Sequence, residues 1–258
     1  MSSCRLCLQN RKTIKAHSIP EAFFRELRED EQAPRLVSGK KGVFTKDIRI
    51  GVYDEQMLCE QCELKFSKTD DYGIKCLLRE FDKHFVPMLD GGRLAGFEST
   101  GANADPDRLL RFFVAVLWRA SKSAQPFYEK VDLGPYEAPA LECIASPDRA
   151  VSPVFDAVLA RWRDNDERIP TTAMLNPMRE RWSGVNAYRL YLGKLVAVVK
   201  VDSQPFPAGL KAVSLRSAPP IRVVARNMRG SKDLQAMLHT ARRSYENTIS
   251  VRNASRSR

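Results

Sequence analysis

The fold is decided by two short stretches, Cys4-Arg5-Leu6-Cys7 and Cys59-Glu60-Gln61-Cys62, which are separated by 51 residues. Two cysteines spaced by two residues can point both thiolates of a tight turn at one ion, and two such pairs are typical of a tetrahedral zinc site. We therefore predict one structural Zn²⁺, held by Cys4, Cys7, Cys59 and Cys62. The alternative interpretation is two buried disulfide or free-thiol pairs.

The segment between the two pairs contains Ala16-His17-Ser18-Ile19-Pro20, and His17 is its candidate functional residue. Apolar residues are sparse in this part of the chain, so bound zinc would supply much of its folding free energy. Structural zinc contributes roughly 10–16 kcal/mol in small domains at neutral pH. The spacing therefore predicts a metal-stabilised N-terminal unit that presents a histidine.

This order of motifs resembles the HNH, or ββα-metal, endonucleases in their zinc-stabilised form, and more narrowly a bacterial group of HNH-like proteins. The resemblance extends to about residue 145. The residues that carry it are Cys4, Cys7, His17, Ile19, Pro20, Leu58, Cys59, Cys62 and Glu63, then Phe66-Ser67-Lys68, Leu117-Trp118-Arg119-Ala120-Ser121 and Leu133-Gly134-Pro135-Tyr136-Glu137.

The resemblance implies a metal-dependent endonuclease that hydrolyses phosphodiester bonds and serves in bacterial defence against phage. His17 would be its general base. A catalytic Mg²⁺ or Mn²⁺ would be held by hard oxygen ligands, with Asp70 the first choice and Glu63 the next. Lys65 and Lys68 would contact flanking phosphates.

The sequence also departs from the HNH pattern. Ala16 precedes the histidine, and the last histidine or asparagine of the triplet is absent from the expected helix, where Glu63, Asp70 and Asp71 occur instead. A carboxylate can replace imidazole as a ligand to a hard ion. The alternatives are a His17 that packs on the zinc lobe or ligates the zinc, and a non-enzymatic zinc-ribbon protein with a nucleic-acid-binding or regulatory role.

Basic residues concentrate at the C-terminal end of the chain. The formal net charge is +11, and residues 216–258 hold ten Arg or Lys against Asp233 and Glu246. Such a field favours a polyanion, with nucleic acid (DNA before RNA) ahead of an acidic membrane surface. For the last ten residues we favour a solvated end. The expected nucleic-acid contacts in this region are Arg226, Arg229, Arg242 and Arg243.

Cysteine usage and hydropathy predict a cytoplasmic protein that does not enter a membrane. Four of the six cysteines belong to the predicted zinc site, which suits a reducing compartment, and Cys76 and Cys143 are expected in the core. No basic-then-apolar leader precedes Cys4. The longest apolar run, Phe112 to Trp118, is too short to cross a bilayer.

We expect an α+β chain of two domains. Residues 1–90 would form the zinc-binding, ββα-metal-like domain, with strands in 43–53 and a helix from Cys59 toward Phe85. Residues 86–104, rich in glycine, would be a linker or an irregular hairpin. Residues 105–258 would form a mainly helical domain with a β-hairpin and the basic region, which selects the substrate, senses a signal, or joins a homodimer or protein partner.

Periodicity and capping residues predict the elements of the second domain. Asp105 is the predicted N-cap of a buried helix with Pro106 in its first turn, and Ser231 the N-cap of the last helix. The remaining predicted elements are helices at Pro135–Ala145 and Ser152–Arg163 and a hairpin at Tyr188–Val201 around Gly193-Lys194.

Overall fold

The computed structural model describes residues 3–28, 33–40, 43–101, 104–163 and 174–256. Helices and β-sheets both occur in this part of the chain, so the predicted α+β class is confirmed. No helix within these ranges is long and apolar enough to cross a bilayer. The predicted cytoplasmic location stays a prediction.

A β-hairpin followed by a helical segment forms the N-terminal region. β1 (Thr13–His17) pairs antiparallel with β4 (Tyr53–Cys59), so the strand that carries the histidine lies beside the strand that leads into the second cysteine pair. Most of the predicted strand structure in 43–53 is absent from that stretch as the structure describes it, because β4 begins only at Tyr53. Between β1 and β4 lie α1 (Glu21–Arg25), β2 (Arg35–Leu36) and β3 (Lys46–Asp47).

The predicted helix after Cys59 is present as a chain of short helical pieces. Leu64 is 65 % exposed, whereas Phe66 and Gly73 are buried. Gly73 has to be glycine because a Cβ there would lie 2.5 Å from the ring of Phe112. The pieces are α2 (Glu60–Glu63), a 3₁₀ turn (Leu64–Phe66), α3 (Ser67–Ile74), a π-helical turn (Lys75–Arg79) and α4 (Phe81–His84).

A large mixed sheet follows, with seven strands among the described residues. Its spatial order is β5-β6-β11-β7-β10-β9-β8, and β11 runs parallel to β7 whereas the other neighbours are antiparallel. The predicted hairpin around Gly193-Lys194 is confirmed as β9 and β10. The strands are β5 (Phe85–Asp90), β6 (Arg93–Ser99), β7 (Phe155–Trp162), β8 (Met178–Trp182), β9 (Val185–Leu192), β10 (Leu195–Val201) and β11 (Arg222–Arg226).

The helix predicted at Ser152–Arg163 is wrong, because β7 occupies that stretch. β7 is an interior strand with β10 on one side and β11 on the other. Every residue from Phe155 to Ala160 is buried, since both faces of the sheet are covered. A short run that is apolar on both faces cannot be told from a buried helix by periodicity. The second half of the chain is therefore less helical than expected.

Helix α5 (Pro106–Lys122) is the central element of the core. Asp105 caps it as predicted, because its side chain accepts from the N–H groups of Asp107 and Arg108. Trp118 is fully buried and stacks on Phe66 with 5.9 Å between ring centroids. One cluster of buried residues extends from Cys4 to Val223. The division into residues 1–90 and 105–258 therefore stays a prediction.

Three further α-helices occur in the described chain. Ser231 caps the last of them, accepting from the N–H of Leu234 at 3.0 Å as expected. Asp233 in its first turn is fully buried and bonds to Arg189, Tyr191 and Arg226, which fastens the helix to the large sheet. These helices are α6 (Glu137–Ala145), α7 (Ala208–Lys211) and α8 (Lys232–Arg256).

Candidate metal and catalytic centre

The four paired cysteines meet at one point although 51 residues separate the pairs. Their Sγ atoms all lie within 4.8 Å of one another, and the Sγ atoms of Cys7 and Cys59 are 4.0 Å apart. All four are free thiols, so the disulfide alternative does not hold in this structure. Zn–S bonds of 2.3 Å in a tetrahedron place sulfur atoms about 3.8 Å apart. The cluster therefore fits a structural zinc ion.

Backbone hydrogen bonds around the cluster favour the thiolate form of Cys4. The knuckle closes when Leu8 N–H donates to Cys4 carbonyl oxygen at 2.9 Å, with Leu8 in the left-handed region at φ 58°. Burial raises the pKa of the Cys4 thiol, but backbone N–H groups, led by those of Cys7 and Cys59, bring it down to about 6. Burial and neighbouring thiols instead raise the pKa of Cys62. A bound dication would stabilise all four as thiolates.

His17 ends β1 opposite Tyr53, and its tautomer follows from its partner. Its Nε2 lies 2.8 Å from the carbonyl oxygen of Ile50, which can only accept, so Nε2 carries the proton and Nδ1 keeps a lone pair. The ring of Tyr53 packs edge-on against the imidazole, with 5.9 Å between the ring centroids. Burial lowers the pKa of His17, and the Ile50 carbonyl and Glu21 oppose that shift only in part. The imidazole is therefore neutral near pH 7.

Glu63 follows the last cysteine and is turned toward the histidine. Burial raises the pKa of its carboxyl group, Arg119 and the backbone N–H of His17 lower it, and Asp70 raises it further. Among the described residues, the buried Oε2 of Glu63 has no hydrogen-bond partner. An unpaired buried carboxylate oxygen is costly unless an ion, a water molecule or a ligand satisfies it. Its hard oxygen suits a divalent cation such as Mg²⁺.

Asp70 is engaged by Arg119, a fully buried residue of α5. Nη1 and Nη2 of Arg119 donate to Oδ2 and Oδ1 of Asp70, each at 2.6 Å. The guanidinium also lies over the ring of Phe66 at 4.6 Å. Asp70 and Glu63 raise the pKa of Arg119 against the effect of its burial, so it stays charged. Each oxygen of Asp70 retains a further lone pair.

The predicted catalytic residues are therefore brought together. The charges of Asp70 and Arg119 both act on the pKa of His17 and on the pKa of Glu63, and the backbone N–H of His17 also acts on the pKa of Glu63, so these four residues lie near one another. Asp71, next in sequence to Asp70, is exposed and lines a cavity together with Lys68 and Lys75. Sequence reasoning missed Arg119 as a site residue. Its signal was an arginine that directly follows the apolar run Phe112 to Trp118.

The predicted nucleic-acid contacts fall into two groups. The exposed ones are Lys65, Lys68, Arg229, Arg242 and Arg243. Arg226 differs, because its Nη2 bonds to Oδ2 of the buried Asp233 at 3.1 Å and its guanidinium lies over Trp162 at 4.9 Å. Arg226 thus serves the attachment of α8. Arg242 makes a long, exposed contact with Glu246 at 3.5 Å.

Comparisons with protein-family models, with curated proteins and with solved structures find no match to this chain. The functional argument therefore rests on the arrangement of the chain's own residues: four cysteines that could hold a metal ion, beside a cluster of one histidine, two carboxylates and an arginine.

Proposed function

We propose that this protein is a metal-dependent nuclease whose general base is His17. One observation carries the proposal. A neutral histidine with a fixed tautomer lies beside Glu63, whose buried oxygen has no partner among the described residues. General bases near pH 7 need a neutral imidazole, and cation sites need hard oxygen ligands. Both requirements meet next to a zinc-type cysteine cluster.

The roles follow from the chemistry of phosphodiester hydrolysis. The free lone pair on Nδ1 of His17 takes a proton from water, and the hydrogen bond from Nε2 to Ile50 carbonyl oxygen steadies the imidazolium that forms. Glu63, with Asp70 as a second oxygen donor, would hold Mg²⁺ or Mn²⁺. Such an ion, when bound, neutralises charge on the scissile phosphate and the leaving oxygen. Arg119 keeps Asp70 oriented toward the site.

The zinc site would serve structure only. With four thiolates it leaves no open position for substrate, which is the character of structural zinc. Its place at the start of α2 fixes the angle between the β1–β4 hairpin and the helix that carries Glu63. The substrate class, DNA first, rests on the net charge of +11. A role in phage defence rests on the motif resemblance alone.

A second candidate function is a non-enzymatic zinc-stabilised module that binds nucleic acid. The two-point pairing of Asp70 with Arg119 favours it, because a carboxylate committed to a buried arginine contributes to stability whether or not a metal binds. In that case His17 would pack on the zinc lobe and have no chemical role. The two functions differ in turnover and share the basic surface.

Plasmid nicking with and without Mn²⁺ or Mg²⁺ separates the two functions. The nuclease proposal expects metal-dependent nicking by the wild-type protein, loss of at least a hundredfold in rate in His17→Ala, and unchanged DNA affinity. His239→Ala, at an exposed histidine of α8, is the matched control and should nick at the wild-type rate. If the wild-type protein binds DNA but shows no metal-dependent nicking, the second candidate function, a non-enzymatic binding module, is supported.

A further inference from the structure

A cavity of about 480 Å³ opens on the side of α3 away from Asp70. At about 100° per residue, Lys68 and Lys75 lie roughly opposite Asp70 around this helical segment. The cavity is therefore separate from the His17 cluster. The side chains of its wall that matter here are Lys68, Asp71, Tyr72, Lys75, His84 and Arg108.

Arg108 is held rigidly on this wall. Its guanidinium carbon lies 3.8 Å from the ring centroid of Tyr72, and the hydroxyl of Tyr72 accepts a hydrogen bond from the backbone N–H of Asp105 at 2.6 Å. The ring is thus fixed, and the guanidinium stacked on it is fixed as well. Stacking uses the face of the guanidinium and leaves the N–H groups at its edge available for an acceptor.

Two lysines add positive charge to the same cavity. Lys68 is exposed and has no ion-pair partner in the part of the chain that the structure describes, and Lys75 makes a long, exposed contact with Glu80 at 3.8 Å. The opposing charge within the wall is the exposed carboxylate of Asp71. Cations therefore outnumber the acid, and the cavity favours an anion.

His84 supplies an independent sign of a ligand. Both of its ring nitrogens are buried and lack a hydrogen-bond partner among the described residues, and the side chain is only 13 % exposed. Its Nε2 lies 3.7 Å from Oε2 of Glu80, beyond hydrogen-bond length. An imidazole always carries at least one N–H, and a buried donor without an acceptor is destabilising. The described residues of the cavity therefore supply no acceptor for the His84 N–H.

We propose that this cavity binds a phosphate group, with Arg108 as the planar donor, Lys68 and Lys75 as point charges, and His84 as the buried donor. Phosphate oxygens provide several acceptors in one small anion, which matches the several donors that these four side chains present. The carboxylate of Asp71 in the same wall lowers the affinity. The proposal does not depend on catalysis at His17, which lies across the helix.

The phosphate has two chemical sources. It belongs to the backbone of a bound nucleic acid, as a diester, or to a free phosphate or mononucleotide, as a monoester. A diester here would extend the nucleic-acid path around α3, and a monoester would make the cavity a small-molecule site. Both sources use the same donors, so the ligand has to be varied in the experiment.

The histidines make the test direct. The chain has three histidines, so His84→Gln identifies the His84 signal in a side-chain ¹H–¹⁵N spectrum of the zinc-loaded full chain. Inorganic phosphate, AMP and a short 5′-hydroxyl oligonucleotide are titrated in turn at constant ionic strength. We expect saturable shifts at His84. If only inorganic phosphate and AMP shift the His84 signal, the cavity is a monoester site. If the oligonucleotide shifts it, the cavity binds the phosphodiester backbone of a nucleic acid.

Affinities of variants give the second readout. Arg108→Gln and Lys75→Gln should each weaken inorganic phosphate binding about tenfold or more, because each loses a charge-assisted contact. Asp71→Asn should strengthen it severalfold. Arg79→Gln removes the same charge from an exposed position of the π-helical turn outside the cavity and should change affinity little. Equal weakening by Arg79→Gln and Arg108→Gln, or no shift at His84 from any of the three probes, would overturn the proposal.

Discussion

Arg119 and Asp70, 49 residues apart in sequence, are joined by two parallel hydrogen bonds of 2.6 Å that connect α5 to α3. The arginine is fully buried and the carboxylate is 16 % exposed, so water screens the pair weakly. This pair couples the hydrophobic core to the candidate catalytic cluster, because Asp70 acts on the ionisation of both His17 and Glu63.

Asp70→Asn should lower the free energy of unfolding by about 3 kcal/mol, because it leaves a buried guanidinium without its counter-charge. Asp71→Asn is the matched control, since the neighbouring carboxylate is exposed and its loss should cost less than about 0.5 kcal/mol. Urea unfolding followed by circular dichroism measures both. Equal stability of the two variants would mean that Asp70 and Arg119 do not form this pair in solution.

Removing the metal-site cysteines should unfold the N-terminal region. The double variant Cys59→Ser with Cys62→Ser is expected to lose the one zinc ion per chain and to become sensitive to protease before residue 100, because zinc binding supplies folding free energy there. Elemental analysis and limited proteolysis measure the two effects. Cys143→Ser, a buried cysteine outside the cluster, should keep its zinc. Zinc retained by the double variant would contradict the assignment.

Glu63→Gln should raise the Mn²⁺ concentration needed for half-maximal cleavage about tenfold or more while zinc content stays at one per chain. The amide keeps the shape of the side chain but is a weaker ligand for a hard cation than the carboxylate. Asp70→Asn should weaken the metal dependence less, since both of its oxygens already accept from Arg119. Cleavage with unchanged Mn²⁺ dependence in Glu63→Gln would remove Glu63 from the metal site.

The histidine at the end of β1 should make stability depend on pH. Burial lowers the pKa of His17 from the ordinary 6.5, so below about pH 6.5 the unfolded chain takes up a proton that the folded chain does not. The free energy of unfolding therefore falls as the pH drops from 6.5 to the folded-state pKa, and His17 contributes no pH dependence above 6.5. Urea unfolding of wild type and His17→Gln checks the sign. A wild-type protein that gains stability relative to His17→Gln on acidification would contradict it.

The exposed arginines of α8 should govern the salt dependence of DNA binding. Arg242→Glu with Arg243→Glu is expected to reduce the slope of log affinity against log salt by about 0.7–0.9 per lost phosphate contact. Arg93→Glu with Lys130→Glu makes the same charge change at exposed positions elsewhere. Filter binding at several salt concentrations gives the slopes. Similar slopes for both double variants would mean that net charge alone drives binding.

Arg226→Glu should destabilise the protein, because it breaks the bond to Asp233.

Much of the molecule follows from local patterns in the sequence. The two C-x-x-C pairs predict a metal cluster because two-residue spacing constrains the thiolates of one turn, and the four sulfur atoms do meet. Asp105 and Ser231 predict helix starts because a side-chain oxygen at that position bonds to the first N–H groups of a helix. Turn residues at Gly193-Lys194 predict the β9–β10 hairpin for the same local reason.

Only the tertiary structure decided the rest, because it depends on contacts between distant residues. Phe155–Trp162 is a strand since β10 and β11 flank it and both faces are covered, which removes the alternation that would have marked it. Arg119 becomes a site residue because α5 brings it to Asp70. His84 and Arg108 line one cavity because α4 packs against the π-helical turn and α5 packs against α3. A periodicity specifies which face of an element is apolar, and packing against distant elements determines which polar side chains meet.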